Sequence, residues 1–184
     1  MLKPKEVLFL SFRYLFLLII AFPSLYLFYL VFTPLTIYPV YKILSLIYGA
    51  SLAANVITLG SLRIVLIPAC IAGAAYYLLF IFNFTVPMPL KKRVKSLLFI
   101  VISFLILNII RIVVLSVLAV NKYSNFDQIH IFIWYFGSTF LVLLIWFFNV
   151  YLFKIKEIPF FTDLRNLLLL TKIKEKSRRK LRKL

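Results

Sequence analysis

The sequence predicts an all-α polytopic membrane protein of about four transmembrane helices, and three observations predict it. Hydrophobic residues make up 64% of the chain, against roughly 45–50% in soluble domains, and the mean hydropathy is +1.05. A water-soluble fold of 184 residues has too small an interior to hide that much apolar surface, so lipid must be the solvent for most side chains. Four stretches, 9–32, 64–84, 96–120 and 131–153, each reach the about 20 residues that cross a hydrocarbon core. Eighteen of the 22 Lys and Arg lie in the three segments that a four-span topology places on one side of the membrane.

The first stretch, 9–32, is too long for a signal-peptide core, and no Ala-x-Ala spacing follows it. It reads as a retained helix in which Pro23 introduces a kink. The segment 43–60 is also apolar, but a span there would send the loop carrying Lys91, Lys92, Arg93 and Lys95 to the opposite side. It is therefore placed at the outer interface. Within it, Val56-Ile57-Thr58-Leu59 and Leu62-Arg63-Ile64-Val65 flank Gly60-Ser61, which reads as a short extracytoplasmic β-hairpin before the second helix. An irregular interfacial helix is the alternative. Pro87 and Pro89 close the second stretch, the four basic residues follow, and the polar loop 121–128 separates the third stretch from the fourth.

Residues 1–153 thus form a single transmembrane domain, and 154–184 form a basic tail. In the tail Phe160, Phe161, Leu164, Leu167, Leu168 and Ile173 recur at mostly helical spacing among Lys and Arg, the pattern of an interfacial segment. Anionic lipid headgroups are its expected partners, at about 1 kcal/mol per basic residue near the surface. The N-terminus, the loop at 91–95 and the tail are rich in Lys and Arg, whereas the other two loops hold Lys42, Arg63 and Lys122. The positive-inside rule then places both termini in the cytoplasm of a multi-pass plasma-membrane protein.

A formal net charge of +17 is compatible with nucleic-acid binding in general. Here the charge borders apolar spans and no base-reading element accompanies it, so no nucleic-acid partner is expected. One Cys and one His can build neither an intramolecular disulfide nor a zinc site. No metal or cofactor is expected, and P-loop, dinucleotide, zinc-protease and serine-hydrolase motifs are absent.

Three rare polar residues carry the chemistry. Arg111 stands inside an apolar helix, where an arginine costs about 2.5–3.5 kcal/mol even on insertion scales, with Asn108 three residues earlier on the same face. Cys70 follows Pro68-Ala69 near the outer end of the second helix, with Gly73, Ala74 and Tyr77 on its face. His130 opens the fourth helix. Taken singly, each has a structural reading: an arginine satisfied by carbonyls or Asn108, an inert small thiol, a capping histidine. The topology puts all three in the outer half of the membrane, on three helices. Together they supply a thiol, a cation able to hold a thiolate or oxyanion, and a proton carrier, the set that thiol acyl transfer requires.

Over about 55–153 the sequence resembles the exosortase/archaeosortase family of membrane transpeptidases. The resemblance rests on the β-like lead-in, Pro68-Ala69-Cys70-Ile71-Ala72-Gly73, the basic turn, Leu107-Asn108-Ile109-Ile110-Arg111-Ile112, and His130 on the last helix. It implies Cys70 as nucleophile, Arg111 as stabiliser of thiolate or oxyanion, His130 as acid/base partner and Asn108 as support for Arg111. It also implies exported protein substrates bearing a C-terminal sorting signal, and a lipid or other amine as acceptor. The chain has Cys70-Ile71-Ala72 where many bacterial members have Cys-Ser/Thr-Gly, and it lacks the extra helices of longer members. A non-catalytic membrane scaffold and a cysteine protease that only hydrolyses are the competing expectations.

Overall fold

The computed structural model describes residues 4–155, with side chains from Ser11 onward. Helices α1 (Pro4–Ala21) and α2 (Tyr26–Tyr48) come first, then strands β1 (Ser51–Ala53), β2 (Val56–Leu59) and β3 (Leu62–Val65). Helices α3 (Pro68–Ile71), α4 (Gly73–Thr85), α5 (Leu90–Val120) and α6 (Phe126–Phe132) follow, and a π turn at Ile133–Gly137 leads into α7 (Ser138–Leu152). Four helical stretches are long and apolar enough to cross a membrane: Tyr26–Tyr48, Pro68–Thr85, Leu90–Val120 and Phe126–Leu152. The protein is an all-α polytopic membrane fold carrying a small sheet. The basic tail expected at 154–184 lies, from residue 156 on, outside the described residues.

The single helix expected over 9–32 is two helices. Pro23 has no N–H to donate, and Ser24 and Leu25 take φ of 48° and 60°, which a right-handed helix cannot accommodate. The membrane-length helix is therefore α2, with Lys42 inside it rather than in a loop. Pro34 and Pro39 lie within α2 without ending it, as happens in lipid, where no water competes for the backbone and neighbouring helices hold it. Gly49 ends α2 in the left-handed conformation, its N–H bonding Ser45 O at 2.9 Å. The basic residues at 91–95 likewise fall in the first turns of α5, not in a loop. At 31 residues and 1.5 Å per residue, α5 is about 46 Å long, longer than the about 30 Å hydrocarbon core.

Helix α5 is the centre of the bundle and packs on α2, α4, α6 and α7. Its buried positions are Ser96, Ile100, Phe104, Asn108, Ile112 and Ser116, an unbroken i+4 series. Its exposed face is Leu98, Ile102, Ile106, Ile110 and Val114. Ser96, Asn108 and Ser116 thus face inward among apolar neighbours while the outward face is wholly aliphatic, the arrangement lipid selects. Tyr76 of α4 ties α2 to α5: its ring stacks on Phe32 at 3.6 Å and meets Phe104 edge-on at 4.7 Å. Gly73 allows this approach, because a Cβ there would sit 2.8 Å from the Tyr29 ring.

A second tie joins α4, α5 and α7 at the end that carries the basic residues. Asn83 Nδ2 donates to Ser96 Oγ (2.7 Å), and Ser96 Oγ donates to Asn149 Oδ1 (2.9 Å), all three side chains being buried. Arg93 closes the end of α4 by donating to Asn83 O (2.6 Å) and Val86 O (2.9 Å). Because Ser96 links both asparagines, Ser96→Ala is expected to lower stability by about 1–2 kcal/mol. Reversible unfolding in mixed detergent micelles reads this, and an unchanged midpoint would show that the triad is incidental.

The sheet is antiparallel in the order β1-β2-β3, with Leu59 opposite Leu62 and Val56 opposite Val65. Gly60 and Ser61 form the two-residue turn expected from the sequence, with Gly60 at φ +60°, the value the first position of a type II′ turn requires. Strand β1 was not anticipated; it pairs with β2 across the turn at Ala54-Asn55. The sheet sits at the end of the bundle opposite Arg93 and leads through Leu66-Ile67 into α3.

Candidate functional site

Cys70 is placed by a broken helix. Pro68 starts α3, where its missing N–H costs nothing, and Ala72 stops it four residues later by taking φ 60° and ψ 41°. In a continuous helix the Cys70 and Ile71 carbonyls would accept from Ala74 and Ala75. Instead the Ala75 N–H bonds Ala72 O at 2.9 Å, so the ladder restarts beyond the break. The carbonyls at the break are taken up by α5. Asn108 Nδ2 donates to Cys70 O (3.0 Å) and Ile71 O (3.5 Å), and Arg111 Nη2 donates to Cys70 O (3.4 Å). Asn108 and Arg111 reach the same target because three residues along a helix share a face.

Arg111 is half-buried and its other arm, Nη1, donates to Ser138 Oγ of α7. The guanidinium thus bridges α7 to the turn that carries the thiol. Its Nε is buried and has no acceptor among the described residues. Asn108 acts on the Cys70 main chain, sharing the Cys70 carbonyl with Arg111, and no hydrogen bond joins the two side chains among the described residues.

A cavity of about 350 Å³ opens beside these groups. Cys70, Arg111 and His130 all line it, so the three side chains singled out in the sequence share one space. His130 is exposed and stacks on Phe126, centroids 5.4 Å apart and planes at 19°. It lies in the second turn of α6 rather than opening the last helix, because the helix begins at Phe126. Apolar side chains from α5 and from α6 with its π turn, among them Leu115, Ile133 and Trp134, line it as well. They make most of the lining apolar, a surrounding in which charge interactions are stronger than in water.

Comparison with protein-family models, with curated proteins and with solved structures found no match to this chain.

Two participants were not singled out in the sequence. Ser138 escaped because it stands eight positions after His130, about 80° away on a regular helix. The π turn at Ile133–Gly137 adds one residue to the helix and brings the two positions to within about 20° of each other, so both turn toward α5. The polar run Gly137-Ser138-Thr139 in an otherwise apolar helix was the available signal. Arg63 was counted as a loop charge, yet it lines the cavity from β3. Its spacing from Cys70 carries no signature, and only the sheet brings it there.

Proposed function

We propose that this chain is a cysteine-dependent membrane transpeptidase of the exosortase/archaeosortase type. The observation that carries the reading is the shared cavity: the one thiol, the arginine at membrane depth and the one histidine come from three separate helical stretches and line a single space. The distribution of Lys and Arg supports placing that space on the extracytoplasmic side, with the basic end of the bundle in the cytoplasm.

In this reading His130 accepts the Cys70 proton, and the thiolate attacks the carbonyl of the scissile bond in an exported protein's C-terminal sorting signal. The Arg111 guanidinium, which lines the cavity, donates a further N–H to the oxyanion of the tetrahedral intermediate. The C–N bond breaks as His130 returns the proton to the leaving amine. The resulting thioester is attacked by the amine of an acceptor, a lipid or other amine, and Cys70 recovers its proton through His130. The pinned backbone at Cys70 helps by fixing the nucleophile on rigid elements.

The contacts of Arg111 favour one other reading. Both of its arms bridge helices, as in a scaffold that uses the arginine only to join α5 to α3 and α7. Mass spectrometry of membrane-anchored exported proteins, in cells with the active protein and with Cys70→Ala, separates the two. New C-termini near a terminal span, carrying the mass of an amine adduct, are expected with the active protein alone. Adduct-free C-termini would mean hydrolysis, and identical termini in both cells would leave the scaffold. Orientation has its own expected result. A membrane-impermeant thiol reagent labels Cys70 from outside intact cells, while tags in the 91–95 segment report cytoplasmic; labelling only from the cytoplasmic side overturns the topology.

A further inference from the structure

We propose that the open edge of β3 is a docking edge on which an extended polypeptide adds as a fourth strand and is led to Cys70. The inference deepens the transpeptidase reading by naming how its substrate is held, and it rests on that reading for the identity of the occupant.

The sheet order β1-β2-β3 leaves β3 paired on one side only. In an antiparallel ladder, successive residues present their N–H and C=O alternately to the two sides of the strand. Leu62 flanks the two-residue turn opposite Leu59, so Leu62 and Ile64 point their main-chain groups at β2. The Leu66 N–H continues the series by bonding Asn55 O at 2.9 Å. The N–H and C=O of Arg63 and Val65 therefore point away from the sheet. Among the described residues these groups find no hydrogen-bond partner.

That edge faces the site. All four residues of β3, together with Leu66 and Ile67, line the same cavity as Cys70, Arg111 and His130. On the extracytoplasmic side water satisfies these groups in the free protein, and an occupant that displaces the water without replacing its hydrogen bonds carries a substantial cost. What takes the water's place must present backbone-like donors and acceptors at strand spacing. An acyl chain offers none, whereas an extended peptide offers them every second residue. Strand β3 runs directly into Leu66-Ile67-Pro68, so a chain laid along it, about 4.8 Å away, is guided toward the thiol three to five positions further on.

The test uses the single thiol as a tether. The full chain in lipid nanodiscs is reacted with a peptidyl 2-pyridyl disulfide, acetyl-Thr-Val-Thr-Val linked through a terminal cysteamine, and with an alkyl disulfide of equal length. Amide hydrogen exchange is then followed at 62–65 by NMR. In the untethered protein the amides of Leu62 and Ile64 are protected and those of Arg63 and Val65 exchange freely. With the peptide tethered, Arg63 and Val65 slow at least about tenfold, a change of about 1.4 kcal/mol in opening free energy; the alkyl tether leaves them unchanged. Methylating alternate peptide nitrogens abolishes the protection in one phase and spares it in the other. The proposal fails on any of four results: equal protection by the alkyl chain, no protection by the peptide, protection already present in the untethered protein, as pairing with a second copy would give, or a Cys70 that accepts methyl thiosulfonate but not the peptide. A disulfide forms on any accessible thiol. Protection in a protein that processes nothing would thus uphold the docking edge while removing Cys70 as nucleophile.

Discussion

Arg111→Lys is expected to lower substrate processing about 100- to 1000-fold, the effect of losing an oxyanion donor, about 2.7–4 kcal/mol, while the protein still inserts and folds. The planar guanidinium presents five donors. Nη1 and Nη2 each spend one N–H, on Ser138 Oγ and on Cys70 O, and each keeps a second. A lysine offers a single point of contact, and in an apolar cavity it sheds its proton more readily than arginine. It can replace one helix bridge but not the bridge and the spare donor together. Cleavage is measured beside extracted yield and thermal stability, because a purely structural arginine shifts stability and leaves the rate of the surviving folded protein near normal. Adding guanidinium to Arg111→Ala sharpens the contrast: recovery of rate without recovery of stability marks a chemical role. Near-normal cleavage by well-folded Arg111→Lys would falsify the assignment.

Cys70→Ala and Cys70→Ser are both expected to give no product above background, with stability within about 0.5 kcal/mol of the parent. Asn108 and Arg111 hold the main-chain carbonyls at Cys70 and Ile71, not the thiol, so neither exchange removes a described hydrogen bond. Serine fails as a substitute because its hydroxyl lies far from ionisation at neutral pH, whereas a thiol, with an ordinary pKa near 8.5, is partly ionised once a base or cation is close. A scaffold would tolerate both exchanges. Processing by Cys70→Ala at more than a few per cent of the parent rate would therefore sink the transpeptidase reading, and a large loss of folded protein would show that the thiol is packed as a core atom.

Composition and the length of apolar runs decide the solvent of this chain and the number of its membrane-length helices, because crossing lipid demands about 20 residues with every backbone group satisfied internally. A local rule also points to the β2–β3 hairpin, because Gly60-Ser61 between two short β-like runs can make the turn, but an interfacial helix stands beside it as the alternative until the strand pairing decides. The apolar runs also made Cys70, Arg111 and His130 conspicuous, since polar groups among apolar ones stand out one at a time. The helix bounds were less legible. Pro23 reads from the sequence as a kink in a helix over 9–32, yet the chain breaks there and stays helical through Pro34 and Pro39. A proline's effect depends on which neighbours take up the released groups, and those neighbours are distant in sequence. The partners of the site were illegible for the same reason. Ser138 reaches Arg111 only through a π turn that re-phases a helix, Arg63 enters the cavity only because the sheet sets β3 along its border, and the carbonyl at Cys70 becomes a target only because Ala72 breaks the ladder. Periodicity records which face of a helix is buried. What that face meets depends on how the helices and the sheet pack against one another.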